Sequence, residues 1–416
     1  MSEFINNQSL KKQKLKEALR LLHEGKPMEE IQVTFKEILR NASSVEIAEI
    51  EQTLIAEGLP VEDITYLCDA HVALFKESLE QESPPEMQPG HPIFTFRSEN
   101  ELAGLVLNDV KNVLRLFKEN PDAEIRSKTT NSIKKLSEFD RHYLRKENLL
   151  FPNLERYGFS GPSSVMWGVH DQIRRGWKAM LATLKSEKPT SREMAIELDK
   201  EFAEIENAMH EMFYKEDRIL FPNAITKLNH KDWEQVYEGE SEFGYAFAQR
   251  GSEWHPENEK IASAPTEVKL VNPNNQERNS SMSNFPLKVG DLSLSQISLM
   301  LTHLPVDITY VDEHDEVRFY SETPDRIFKR TPAIIGRKVQ NCHPPASVDK
   351  VLRIVEDFKA GKRDHADFWI QMAGKFIHIR YFAIHDEEGK YRGTLEVSQD
   401  VTEIRKLEGE RRLLED

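Results

Sequence analysis

Apolar residues recur at helical spacing through most of the first 250 positions and give way to strand-like runs only after Pro286. The early helices are short. One runs from about Leu10 to His23 and stops near Gly25, and Pro27 opens another whose Ile31, Phe35, Ile38 and Leu39 form one stripe. Ser43 and Glu46 stand at capping-box spacing ahead of a third helix, which ends at Gly58. A fourth, after Pro60, places Ile64, Leu67, Cys68, His71 and Phe75 on one side. Cys68 and His71 lie three apart, as two metal ligands on a helix would, but buried core positions are the plainer reading. After a Pro- and Glu-rich stretch at 81–90, long helices are expected over 98–117, 123–156, 163–185 and 191–228, which together predict an antiparallel four-helix bundle. Residues 251–285 are polar and read as a flexible linker. Beyond them, strands are expected at 306–311 and 317–320, then helical stretches, then strands at 365–371, 376–383 and 393–397. The fold class is therefore mainly α with a C-terminal α+β domain. The divisions are 1–85, a small helical domain; 86–250, the bundle; 251–289, a linker; 290–405, the α+β domain; and 406–416, a helical tail.

Composition narrows the partners. Acidic residues outnumber basic ones, 71 to 56, and a net charge of −15 disfavours nonspecific binding to nucleic acid or anionic membrane. No apolar run approaches the ~18 residues that span a bilayer. The N-terminus is polar and Lys-rich with no apolar core of a signal peptide. Two distant cysteines, Cys68 and Cys342, offer no disulfide framework, so a cytoplasmic setting is expected.

The bundle contains an imperfect repeat. His142-Tyr143-Leu144-Arg145-Lys146-Glu147 runs into Asn148-Leu149-Leu150-Phe151-Pro152. His210 precedes Lys215-Glu216-Asp217-Arg218-Ile219-Leu220-Phe221-Pro222. Each copy puts His and acidic residues ahead of Leu-Phe-Pro, read as helix termination. His91 opens the bundle and His170 lies mid-helix. Imidazole with carboxylate suits iron, zinc or manganese, and facing helices build such sites inside bundles. The metal candidates are His91, His142, Glu147, His170, His210 and Glu216, with Glu99 able to replace or join His91.

These motifs resemble the hemerythrin-type HHE cation-binding domain over roughly 90–230. The resemblance implies non-heme iron in a two-iron or single-metal site, or a remodelled cavity. Family members place a His and a Glu four apart before each Leu-Phe-Pro; here Lys146 stands at the usual Glu position and Met212 at the usual His position. On an ideal helix His210 faces away from Glu216, at ~100° per residue.

Two flanking resemblances complete the chain. Leu22-His23-Glu24-Gly25, Glu46-Ile47-Ala48-Glu49-Ile50-Glu51 and Leu67-Cys68-Asp69-Ala70-His71 resemble the DUF438 family, whose name carries no mechanism. Val306-Asp307-Ile308-Thr309-Tyr310-Val311-Asp312, Ile335-Gly336-Arg337 and Val397-Ser398-Gln399-Asp400-Val401-Thr402 resemble a PAS domain. That implies a sensory or dimerising module, with heme, flavin or another small molecule as ligand. Asn341-Cys342-His343-Pro344-Pro345 invites a heme reading against a plainer Pro-terminated turn. No Walker A loop, kinase signature or basic DNA-reading helix is evident. The expected function is a sensor or signalling protein rather than an enzyme. Its bundle iron would respond to oxygen, nitric oxide or iron or redox state, with output through a homodimer or an unidentified protein. The rivals are iron–sulfur repair or nitric-oxide and peroxide handling, and iron or oxygen storage.

Overall fold

The structure is a computed structural model and describes residues 2–57, 70, 73–81, 87–256, 284–286 and 289–410. Cys68 and His71 lie outside the described residues, as does most of the expected linker. The chain divides into two compact units, residues 1–263 and 264–416.

The first unit begins with α1 (Ser2–His23), α2 (Met28–Arg40) and α3 (Ser44–Ala56). The capping box is made in full: Ser43 N donates to Glu46 Oε2 at 2.9 Å and Glu46 N to Ser43 Oγ at 3.1 Å. Leu15, Leu19, Ile31, Phe35, Leu39, Ile50 and Leu54 close a small core, joined by Phe75 ahead of α4 (Lys76–Gln81).

The long helices follow: α5 (Pro92–Glu119), α6 (Ala123–Ser137), α7 (Asp140–Arg145), α8 (Phe151–Glu155), α9 (Gly161–Lys185), α10 (Arg192–Lys215), α11 (Phe221–Lys227) and α12 (His230–Phe243). α5 packs on α6 and α10, and α9 packs on α6 and α10, closing the antiparallel four-helix ring. The helices expected over 123–156 and 191–228 are not continuous. Each widens into one π-helical turn, Lys146–Leu150 and Glu216–Leu220, before running on. Leu-Phe-Pro is the cause, and it re-winds the helix rather than ending it. Pro152 and Pro222 lack an N–H and crowd the carbonyl four residues back, so the preceding amide bonds five back instead. Phe151 N reaches Lys146 O and Phe221 N reaches Glu216 O.

The second π-turn also carries the N-terminal helices. Ile219 packs against both cores, Arg218 Nη1 donates to Leu79 O at 3.3 Å, and Asn223 Nδ2 donates to Ser44 O at 3.4 Å. α12 was not expected as a separate element. It opens on a capping box between Asn229 and Asp232 and buries Trp233, Val236, Tyr237, Glu240 and Phe243. The start of the expected linker is packed as well: Trp254 is buried and its N donates to Pro89 O at 2.8 Å.

The second unit pairs β1 (Asn284–Pro286) with β2 (Asp291–Ser293), then presents α13 (Leu294–His303). Its main sheet is antiparallel, β3 (Asp307–Asp312), β4 (Val317–Tyr320), β5 (His365–Met372), β6 (Lys375–His385) and β7 (Tyr391–Asp400), in the order β4-β3-β7-β6-β5. The α+β expectation matches this sheet. α14 (Pro345–Lys359) buries Val351, Val355 and Phe358. At the chain end Lys406 closes a 3-10 turn and 407–410 hold no helix, while 411–416 lie outside the described residues.

Gly393 sits where β7 meets β3 with φ +146°, and a Cβ there would run into the Val311 carbonyl oxygen and, at 2.8 Å, Tyr310 Cε2. Backbone cannot yield as a side-chain tip does. Gly393→Ala is therefore expected to destabilise the second unit by about 1–3 kcal/mol, read as a lowered thermal transition of that unit; an unchanged transition would show that the strands part freely there.

Candidate functional site

The two π-turns begin at equivalent points of the repeat, Lys146 and Glu216, and both side chains are fully buried. They form an ion pair. Glu216 also accepts from Asn100 Nδ2 at 2.6 Å and lies 3.2 Å from His142 Nε2. The other ring nitrogen, His142 Nδ1, is 2.9 Å from Glu99 Oε2. Glu99 in turn pairs with Arg145 and accepts from Ala246 N at 2.7 Å, and Arg145 Nη1 donates to Glu240 Oε1 at 2.9 Å. A chain of charge thus crosses the bundle from α12 to the second π-turn.

A second cluster lies beside it. His170 Nδ1 is 2.7 Å from Glu147 Oε1, and Arg174 bonds both Glu147 oxygens, at 2.8 and 3.0 Å. The His170 ring stacks on Tyr143 with centroids 4.1 Å apart. Both His170 Nε2 and the Tyr143 hydroxyl are buried without a hydrogen-bond partner among the described residues.

Burial pushes the Glu147 carboxyl up to about 7, against the opposing charge of Arg174. Glu240 also rises to about 7 through burial, opposed by Arg145 and Arg250. For Glu216 burial pushes upward too, but the charges of Lys146 and His142 outweigh it and hold the carboxyl at about 2. Burial, then the charges of Lys146 and Arg174, keeps His170 well below the usual imidazole range.

Of the six candidates, His142, Glu147, His170 and Glu216 lie in the interior and His91 and His210 do not join them. His91 caps α5, its Nδ1 accepting from Ile93 N at 3.2 Å, with Trp233 and Trp254 ring centroids 4.6 and 4.7 Å away. His210 is exposed and meets Phe213 edge-on. Glu99, on α5 after His91, is the α5 carboxylate that reaches the interior. The cations Arg145, Lys146 and Arg174 and the carboxyl of Glu240 were not foreseen as interior partners. The Asn229–Asp232 cap followed by a Trp233, Val236, Tyr237, Glu240 stripe was the available signal for the last of them.

The second unit holds a cavity of about 900 Å³ between α14 and the sheet. Phe328, Val351, Ile354, Phe368 and Ile379 form apolar walls, and Arg330, His343, Tyr381 and Glu396 gather as a polar group. Arg330 Nε is buried with no hydrogen-bond partner among the described residues. Burial pushes His343 below the usual imidazole range, with Arg330 and Arg337 adding to it and Glu396 opposing. Cys342 lines the cavity too, is part of the core beside it, and donates its Sγ hydrogen to Lys338 O at 3.4 Å.

Residues 15–81 match the family of unknown function DUF438, residues 91–224 the hemerythrin HHE cation binding domain, and residues 297–402 a PAS domain family. The chain is a DUF438, hemerythrin HHE and PAS domain protein. Among solved structures it is similar to the C-terminal domain of a Streptococcus mutans protein, 37% identical, over 31% of this chain and 99% of that one, with a TM-score of 0.30. A PAS domain from Colwellia psychrerythraea is 16% identical, over 26% of this chain and 98% of that one, with a TM-score of 0.23. A sensory box sensor histidine kinase from Vibrio cholerae is 16% identical, over 26% and 89%, with a TM-score of 0.21. No curated protein matches the chain. The HHE and PAS matches support a sensor or signalling protein with a cation-binding domain. Among the described residues no helix is long and apolar enough to cross a membrane.

The HHE donor set can be tested for fit to metal. Among the described residues no three His, Cys, Asp or Glu side chains converge as a ligand group. Glu216 faces an ammonium, Glu99 and Glu240 face Arg145, Glu147 faces Arg174, and the buried Met212 brings no imidazole. This set does not fit a two-metal centre. His170 differs: a carboxylate on Nδ1 and a free Nε2 is the arrangement that orients a ligating imidazole.

The carboxyl shifts fix the pH response of the HHE bundle. Glu147 and Glu240 retain protons in the folded chain from the ordinary value of 4.5 up to about 7. The folded state binds more protons across that window, so stability falls as pH rises through it. Glu216, held at about 2, acts oppositely: its contribution is present above 4.5 and lost as pH falls toward 2. Glu240→Gln removes one of the retained protons, so urea unfolding should show a smaller loss of stability between about pH 5 and about pH 7.5 than in the parent chain. An equal loss in both would place the proton elsewhere.

Proposed function

We propose that this chain is a cytoplasmic signalling protein whose input is a small amphipathic acid bound in the PAS cavity. The carrying observation is the unpartnered Arg330 Nε set beside apolar walls in a cavity of about 900 Å³. That volume falls within the range of pockets that enclose small organic ligands, roughly 300–1,000 Å³. An apolar body would cover Phe328, Ile354 and Phe368, while an anionic group would satisfy Arg330 and meet His343. Of the cofactors expected for this unit, heme gains no support from Cys342, whose thiol is committed to the Lys338 carbonyl. Output through a second copy is supported by α13, which leaves Leu294, Leu299 and Met300 exposed.

A second reading keeps non-heme iron in the bundle, as a single ion sensed through oxygen or nitric oxide. His170 Nε2, with Glu147 on the opposite nitrogen, favours it. Metal content of anaerobically purified full-length protein separates the two: about one iron per chain, lost in His170→Ala with folding intact, would move the input from the cavity to the bundle.

The cavity reading is tested with 1-anilinonaphthalene-8-sulfonate, a dye with an apolar body and one anionic group. Titrated against the full-length chain, it should bind at least about tenfold more weakly to Arg330→Ala, since a charge-assisted hydrogen bond contributes roughly 1.5–3 kcal/mol. Arg353→Ala, on the exposed side of α14, should bind as the parent does. Equal affinity in Arg330→Ala would sink the assignment.

A further inference from the structure

We propose that Lys146 is the resident cation of the bundle interior. Its ε-ammonium stands at the Glu216 carboxylate where a hemerythrin-type centre would place a metal ion.

The argument starts from this chain's own repeat. Lys146 and Glu216 each open a π-turn ahead of Leu-Phe-Pro, so the two positions are structural equivalents. Both are fully buried and they meet as an ion pair. Equivalence of the turns with opposite charge at their first residues makes the pair self-neutralising. Two acids there would need a positive charge from elsewhere, because unpaired buried charge is not tolerated.

The surroundings of Glu216 support the same assignment. Besides Lys146, its oxygens take Asn100 Nδ2 at 2.6 Å and face His142 Nε2 at 3.2 Å, so protein donors occupy most of the roughly four acceptor sites of a carboxylate. His142 cannot swing away freely, because Glu99 holds its other nitrogen and Phe139 stacks on its ring with centroids 4.5 Å apart. On α10 the residue one turn before Glu216 is Met212, fully buried in the apolar core. Neutralisation and filling are thus both supplied by side chains.

The test compares three full-length chains: the parent, Lys146→Glu and Lys146→Gln. Each is purified without oxygen from iron-fed cells and read by metal count and by thermal midpoint with and without chelator. Lys146→Glu makes the two turns alike in charge. It should carry about one more metal ion per chain than the parent, with a midpoint that falls on chelation. Lys146→Gln keeps much of the length and removes the charge. It should take up no additional metal and melt several degrees below the parent. Three results each overturn the proposal: two metal ions on the parent chain, a folded Lys146→Glu with the parent's metal content, or Lys146→Gln melting with the parent. Should Lys146→Glu not fold, the parent's metal count and the Lys146→Gln midpoint still decide.

Discussion

A carboxylate with no solvent exposure governs the bundle. Glu216 is held ionised in the interior, and the effective cost of burying such a charge is several kcal/mol even after relaxation. Lys146 offsets that cost at one oxygen, and Asn100 and His142 complete the shell. Removing the cation alone would leave the charge stranded, a loss of about 3–5 kcal/mol against a typical domain stability of about 5–15 kcal/mol. The dependence spreads outward: His142 is oriented by Glu99, Glu99 is neutralised by Arg145, and Arg145 is shared with Glu240. α12 lies outside the four-helix ring yet carries the last carboxyl of that series, Glu240.

The π-turns make this geometry available. An unbroken α-helix through 140–155 would carry the residues after Lys146 around the axis faster than the wider turn does. In the first turn Lys146 and Glu147 serve different clusters, one at Glu216 and the other at His170 and Arg174. The second turn has an outer side as well. Ile219 sits in the DUF438 core and Arg218 bonds the Leu79 carbonyl, so five residues join the buried charge network to the N-terminal helices. Close-packed cores respond to a shifted neighbour by repacking rather than by yielding smoothly. A change at Glu216 therefore has a short mechanical route to α3 and α4.

Much of this was legible in sequence for definite reasons. Periodicity located the bundle helices, the Ser43–Glu46 cap located α3, and the β-branched runs located the C-terminal strands, because each is a local signal. The interior His142, Glu147 and Glu216 were singled out from the repeat, and His170 from its place mid-helix. Two features were hidden. Leu-Phe-Pro read as a stop because proline breaks an α-helix, whereas neighbouring helices hold the chain in register and the strain resolves as a π-turn. Lys146 read as a departure, and Arg145 and Arg174 drew no reading, because cations are rarely fully buried. Only their carboxylate partners, contributed by helices distant in sequence, make burial tolerable. His91 misled for a related reason: capping and aromatic packing against Trp233 and Trp254 use the same side chain that a metal would.

The two units contrast in what they leave unsatisfied. In the bundle interior Glu99, Glu147, Glu216 and Glu240 each face a cation. A ligand entering there must first displace an internal partner, which subtracts from any affinity it gains. The PAS cavity is arranged the other way. Its walls are largely apolar, its polar group is gathered at Arg330, His343, Tyr381 and Glu396, and Arg330 Nε is a buried donor that no group among the described residues accepts from. An anionic group arriving at that donor removes an existing penalty instead of creating one. Burial of its apolar remainder adds about 25 cal/mol per Å². In the bundle His170 Nε2, the Tyr143 hydroxyl and Arg145 Nε also lack hydrogen-bond partners among the described residues, but His170 lies beneath Tyr143 with Lys146 and Arg174 nearby, whose charges disfavour a second cation. Under the proposed reading, the unsatisfied donor of Arg330 draws an organic ligand to the PAS unit, and the matched charges of Glu216, Glu99 and Glu147 make the HHE bundle its scaffold.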